Sequence, residues 1–202
     1  MIPMKFNRLF FVRHGETDWN AEGRMQGQQD IAMNARGHDQ AAQAGKTIRN
    51  LIGVNPARIA ADYEFIASPL YRTRQTMEIL RHQLGLPIQS YTQDDRLKEI
   101  TFGQWEGLTW PEVMARDPQK AAERQDNKWG FVPPQGESYA MVAERVRPWF
   151  ETLEGDAVIV SHGGVARVFL ALIGGVDPLL APNMDIWQGR VLVFQHATYK
   201  WL

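Results

Sequence analysis

Short apolar runs alternate along the chain with longer stretches in which apolar residues recur at helical spacing, an order that predicts a parallel sheet covered by helices. Phe6 to Val12 reads as a strand. Asn34 is placed to cap a helix from Ala35 to about Ile52, with Ala41, Ala44, Ile48 and Leu51 on one face. Glu64 to Ala67 reads as a second strand. Ser68-Pro69 then gives a helix start, an oxygen-bearing cap followed by proline at the first helical position. Thr73, Met77, Leu80 and Leu84 form the buried stripe of that helix, Gly85 and Pro87 end it, and Ile88 to Tyr91 reads as an edge strand.

The pattern weakens over approximately residues 108–136, where tryptophans, prolines and charges are scattered. This segment reads as an inserted lid with Trp110, Trp129 and Phe131 as its apolar anchors. Ser138 to Leu153 is helical in pattern, and Pro148 should bend or shorten it. Asp156 to Val160 is a strong strand, and after Ser161-His162-Gly163-Gly164 comes a helix ending at Gly174-Gly175. Arg190 to Phe194 supplies a last strand. The expected fold is a three-layer α/β/α arrangement with a mainly parallel open sheet, one domain over residues 1–202.

Composition narrows the function. With 44% hydrophobic and 22% charged residues the chain is of ordinary globular type, which excludes disordered and fibrous classes. A formal charge of −1 gives no bulk attraction to nucleic acid or to an anionic membrane, so any affinity for phosphate must be local. No run approaches the roughly 20 apolar residues of a membrane span, and Met1 to Phe10 lacks a signal-peptide pattern, so a cytoplasmic protein is expected. The absence of cysteine removes disulfides, thiolate metal sites and a cysteine nucleophile.

Ligands of open α/β sheets bind beyond the carboxyl ends of the parallel strands. Here those ends carry Arg13-His14-Gly15, Ser68-Pro69-Leu70-Tyr71-Arg72 and Ser161-His162-Gly163-Gly164. An arginine in the first turn of a helix opposes the macrodipole, and an anionic ligand held by both resolves the conflict. Phosphate suits this set, because its oxygens accept several donors at once and arginine matches their geometry. Asn20 and Gln26-Gly27 are further candidates for ligand contact. His14, kept neutral by nearby cations, is a candidate nucleophile forming a phosphohistidine. A metal is the rival use of two histidines, but metal-ligand spacing such as H-E-x-x-H is absent. A carboxyl group is needed for proton transfer. Glu99, between apolar Leu97 and Ile100, stands out, although residue type alone leaves Glu106 and Asp95 open.

The ordered set RHGET with downstream WN, GRMQGQQD, SPLYRTRQT, LKEITFGQWEG, PQGES and SHGG resembles the histidine phosphatase superfamily, also called the phosphoglycerate mutase-like family. The resemblance spans most of the chain. It implies His14 as phosphate-accepting nucleophile, Glu99 as proton donor, and Arg13, Arg72 and His162 as groups binding the transferring phosphoryl. It further implies substrate contacts at Asn20 and Gln26-Gly27, a parallel sheet with a lid, no cofactor and no metal. Glu137 and Ser138 belong to the family's GES segment, where Ser138 serves equally well as a helix cap or a ligand contact.

EITFGQWEG resembles phosphatase branches rather than the E-R-x-Y-G-x-L-Q-G pattern of mutases, and little tail follows Trp201. Hydrolysis of a small phosphomonoester is therefore the expected activity. Alternatives are a cofactor-dependent mutase-type phosphotransferase and an inactive phospho-ligand binder. The lid aromatics either contact the alcohol part of the substrate or hold the lid's own core, with core the first reading for Trp110.

Overall fold

The computed structural model describes residues 5–202; residues 1–4, the start of the segment read above for a leader, lie outside the described residues. Six strands, β1 (Leu9–Arg13), β2 (Glu64–Ala67), β3 (Thr92–Gln93), β4 (Ala157–Ser161), β5 (Leu192–Gln195) and β6 (Thr198–Trp201), form one sheet in the order β3-β2-β4-β1-β5-β6. The four strands β3, β2, β4 and β1 pair in parallel, whereas β5 and β6 add an antiparallel margin. Eight α-helices accompany them among the described residues: α1 (Asp18–Ala21), α2 (Ala35–Ile52), α3 (Pro56–Asp62), α4 (Tyr71–Gln83), α5 (Trp110–Arg116), α6 (Pro118–Asp126), α7 (Tyr139–Thr152) and α8 (Gly163–Leu172).

The period-two geometry of a strand divides the core between two faces. Leu9 and Phe11 of β1, with Ala157 and Ile159 of β4, join the apolar sides of α7 and α8 around Val142, Trp149 and Phe169. Phe10, Val12, Val158 and Val160 point the other way, towards Ala44, Ile48, Met77 and Leu80 of α2 and α4. Strands buried on both faces explain why β1 and β4 read as continuous apolar runs rather than as alternation. The three-layer α/β/α expectation is therefore met. Residues 108–136 contain α5 and α6, which build a small third cluster around Trp105, Val113 and Ala121.

Several local expectations are corrected. Helix α4 begins at Tyr71 rather than at Ser68-Pro69, with Leu70 in the cap position and no side-chain cap, because the Ser68 hydroxyl is engaged elsewhere. The edge strand lies at Thr92–Gln93; residues 88–91 turn instead. Leu51 is 38% exposed, since the buried face of α2 consists of Gly37, Ala41, Ala44, Gly45 and Ile48. Pro148 does not interrupt α7: it stands on the exposed side, where the carbonyl it leaves unpaired can meet water. Helices α1 and α3 and strand β6 were not foreseen. Among the described residues no helix is long and apolar enough to cross a membrane.

The α2 cap comes out as the sequence predicts, with Asn34 Oδ1 accepting the Gly37 amide at 2.9 Å. Asn34→Ala should lower unfolding free energy by about 1 kcal/mol. Urea denaturation checks this; an unchanged midpoint would mean that the cap contributes nothing.

Candidate active site

Strand β1 sends its last residues into the opening at the carboxyl edge of the sheet. The His14 amide donates to the Ser161 carbonyl at 2.9 Å, extending the parallel pairing by one residue, so that His14 and His162 emerge side by side. Their ring centroids are 5.2 Å apart. Gly15 follows because a Cβ there would collide with the Gly37 carbonyl and the Met33 sulfur. Its own amide donates to Thr76 Oγ1 at 3.1 Å.

The ring of His14 is oriented by a bond of 2.8 Å between Nδ1 and the Gly15 carbonyl. A carbonyl only accepts, so Nδ1 carries the proton and the neutral ring keeps its lone pair on Nε2. Burial first, then Arg72 and Arg13, push the His14 pKa well below the ordinary 6.5. His162 is displaced in the same direction by burial and then by Arg72, His14 and Arg13. Both imidazoles are thereby neutral at physiological pH.

Arg13 donates through Nη1 to the Ile186 carbonyl at 2.9 Å, and burial, partly offset by Glu99, brings its pKa down to about 10. Arg72 is fully buried and donates to the carbonyls of Gln29 at 2.6 Å and Gly27 at 2.8 Å. Its pKa is also lowered by burial and partly restored by Glu99, Asp30 and Glu106. The Nε atoms of both arginines are buried without a partner, as is His162 Nδ1. An unsatisfied buried polar group costs about 1–3 kcal/mol, so Arg13 Nε, Arg72 Nε and His162 Nδ1 beside His14 leave room for a ligand that supplies their partners.

A cleft of about 160 Å³ is lined by Arg13, His14, Asn20, Gln26, Gly27, Arg72 and Glu99 together with Arg24, Phe102, Tyr139 and Arg167, with His162 fully buried beside His14 and outside the lining. A larger groove of about 440 Å³ beside β2 and β3 contains neither histidine. Asn20 belongs to the cap of α1, and Gln188 donates both to its Oδ1, at 3.0 Å, and to the His14 carbonyl, at 3.1 Å. Gln26 donates to the Thr17 hydroxyl. Gly27 turns its carbonyl, not an N–H group, towards Arg72.

Glu99 reaches the amino end of α8, where one carboxylate oxygen accepts the amides of Gly164 and Ile100, each at 2.9 Å. A Cβ at Gly164 would run into that oxygen. The two rival carboxylates are placed differently. Glu106 is bound by Thr101 Oγ1 and by the Phe102 and Gln28 amides through one oxygen, and by Gln29 Nε2 through the other. Asp95 is exposed and paired with Lys98.

Ser138 caps α7 by accepting the Met141 amide at 3.1 Å, the structural alternative of the two open above. Glu137 pairs with Arg145, whose guanidinium also donates to the carbonyls of Arg96, Lys98 and Glu99 and so braces the strip that carries Glu99. Trp110 and Phe131 pack on Trp105, and Trp129 stacks on Tyr139; none of the three lines the cleft, whose aromatic lining is Phe102 and Tyr139. His38, His82 and His196 lie outside it. Arg24, Arg145, Arg167 and Ser68 are positions that sequence reasoning missed. Arg167 had a signal, since it follows the His162 turn by about one and a half helical turns.

The sequence profile described as histidine phosphatase superfamily (branch 1) matches residues 9–202, and the chain belongs to that family. By class it is thus an enzyme of phosphomonoester chemistry. A probable phosphoglycerate mutase of Erwinia tasmaniensis is 31% identical over 200 residues, covering 96% of this chain and 87% of that one. A glucosyl-3-phosphoglycerate phosphatase of Mycolicibacterium vanbaalenii is 34% identical over 185 residues, covering 85% and 76%. Among solved structures, a mycobacterial glucosyl-3-phosphoglycerate phosphatase in complex with VO3 superposes with a TM-score of 0.76 at 27% identity, over 97% of both chains.

The depressed histidines tie stability to pH. The unfolded chain protonates these rings as pH falls through about 6.5, whereas the folded chain does not, so stability is full above that value and declines below it. Each ring contributes up to about 1.4 kcal/mol per pH unit. Urea midpoints should fall between pH 7.5 and pH 5.5, with a shallower fall in His14→Asn; equal slopes would contradict neutral burial.

Proposed function

We propose that the protein hydrolyses phosphomonoesters through a phosphohistidine on His14, without a metal or cofactor. The observation that carries this reading is the set of three unpartnered buried donors, Arg13 Nε, Arg72 Nε and His162 Nδ1, around a histidine whose Nε2 lone pair is free. A transferring phosphoryl group supplies the missing acceptors and the missing negative charge together. In this reading residues 1–202 form one catalytic domain with residues 108–136 as its lid, and Asn20, Gln26 and Gly27 shape the phosphate side of the cleft.

The first step joins His14 Nε2 to phosphorus as the bond from phosphorus to the alcohol oxygen breaks, and that oxygen takes a proton from the Glu99 carboxyl group. Water then attacks phosphorus, gives a proton to Glu99, and breaks the N–P bond. Phosphate leaves and both residues return to their starting states.

The organic part of the substrate carries a second anionic group. Arg167 lines the cleft, and Arg124 and Lys128, which line a separate pocket of about 330 Å³ with Trp110 and Asn183, feel its charge. Among the described residues none of the three has a carboxylate within ion-pair distance. Arg124 rests on Trp110, Lys128 donates to Asn183, and Arg167 donates to the Met184 carbonyl. Burial, then Arg124 and Arg167, bring Lys128 down to about 8, a shift that an anion bound nearby would oppose. The glycerate unit in the names of the relatives bears such a group, a carboxylate. The relative named as a mutase also supports a second reading, in which the rebound intermediate rather than water takes the phosphoryl group.

A panel of phosphomonoesters in EDTA, including 2- and 3-phosphoglycerate, separates these readings when phosphate release and isomerisation are both followed. Phosphate release should persist in EDTA, and an acid-labile, base-stable phosphoprotein should form in wild type and vanish in His14→Ala. Isomerisation without release would favour the mutase, and a label surviving in His14→Ala would remove His14 as nucleophile. Lys128→Ala should raise KM about 10-fold for carboxylated substrates and leave neutral aryl phosphates unchanged. Equal effects on both would contradict the second-anion reading.

A further inference from the structure

Ser68 sits at the carboxyl end of β2 with its hydroxyl buried 2.8 Å from His162 Nε2, a contact between residues 94 positions apart. The other hydrogen-bond partner of that hydroxyl is the Leu70 amide, 3.4 Å away, which can only donate. A serine hydroxyl has one proton to give and two lone pairs to offer. With a lone pair facing the Leu70 N–H, the proton is left for His162 Nε2.

This assignment decides the rest of the ring. Surrounded by Arg72, His14 and Arg13 and cut off from water, His162 holds a single ring proton. If Nε2 accepts from Ser68, that proton is on Nδ1, the atom buried without a protein partner. In the opposite tautomer Nε2 would donate to Ser68, leaving the hydroxyl proton without an acceptor and a bare nitrogen lone pair in a site organised for an anion. Only the first arrangement satisfies the hydroxyl and leaves a donor for a ligand oxygen.

We infer that Ser68 is a positioning residue that locks His162 in its Nδ1–H tautomer, so that His162 meets the phosphoryl group as a neutral hydrogen-bond donor and not as a second base or nucleophile. The inference builds on the phosphoryl-transfer reading, and it divides the two neighbouring histidines. Both carry the proton on Nδ1, but a carbonyl consumes that of His14 and a hydroxyl frees that of His162. One ring therefore presents a lone pair and its neighbour presents an N–H.

The test uses the full chain labelled with ¹⁵N-histidine and long-range ¹H–¹⁵N spectra, with His162 assigned by its loss in His162→Gln. Wild type should show the neutral Nδ1–H form. Ser68→Ala should shift His162 towards Nε2–H and weaken vanadate inhibition by about 10- to 100-fold, the range for a hydrogen bond to a charged group. Ser68→Thr, which keeps the hydroxyl, should restore the wild-type tautomer. An Nε2–H form in wild type overturns the inference, as does an unchanged Nδ1–H form in Ser68→Ala, whatever that variant's stability. The spectra need no turnover. A wild type that releases no phosphate would sink the catalytic reading and leave the tautomer itself to decide the role of Ser68.

Discussion

The parallel pairing of β1 with β4, register Arg13 to Ser161, is the constraint on which the rest of the site hangs. It brings together two histidines that are far apart in sequence, setting their rings 5.2 Å apart with His14 on the cleft and His162 buried beside it. Because the strands are packed on both faces, neither can rotate or slide without exposing Phe10, Phe11, Val158 or Ile159. A one-residue slip would exchange the two faces and turn the core of one layer towards the other. The precision of the cleft is thus inherited from apolar packing that never touches a ligand.

That precision is held against an electrostatic load. Arg13, Arg72 and Arg167 share one cleft with Glu99 as the carboxylate in its lining, and burial weakens the charged form of the first two. Carbonyl groups of Gly27, Gln29, Ile186 and Met184 take up part of the positive charge without neutralising it. What remains is a positive field fixed by the fold before any ligand arrives. Burial and the same field keep both imidazoles neutral.

Much of this is visible in the sequence where the signal is local. The Asn34 cap, the β2 limits and the buried runs of β1 and β4 depend on near neighbours and are legible as pattern. The limits of legibility follow from distance. Ser68 before Pro69 looks like a helix cap because its partner, His162, is 94 residues away. Arg145 looks like a surface residue of α7, and only folding brings it to the carbonyls of residues 96 to 99. The β5–β6 hairpin escapes notice because His196 and Ala197, both at positive φ, stand where glycine or asparagine would announce the turn. Glu99, Glu106 and Asp95 are equivalent as residue types. Their different hydrogen-bond partners separate them only in three dimensions.

Glu106, set aside as a proton donor, has a mechanical role. One oxygen is shared by the Gln28 amide and by Thr101 and Phe102, and the other is bound to Gln29. The loop whose carbonyls grip Arg72 and the strip that presents Glu99 are therefore riveted at a single carboxylate. Arg72 and Glu99 are thus linked through one set of hydrogen bonds that does not pass through α5 and α6. A chain built this way can vary α5 and α6 while the distance between Arg72 and Glu99 stays where it is.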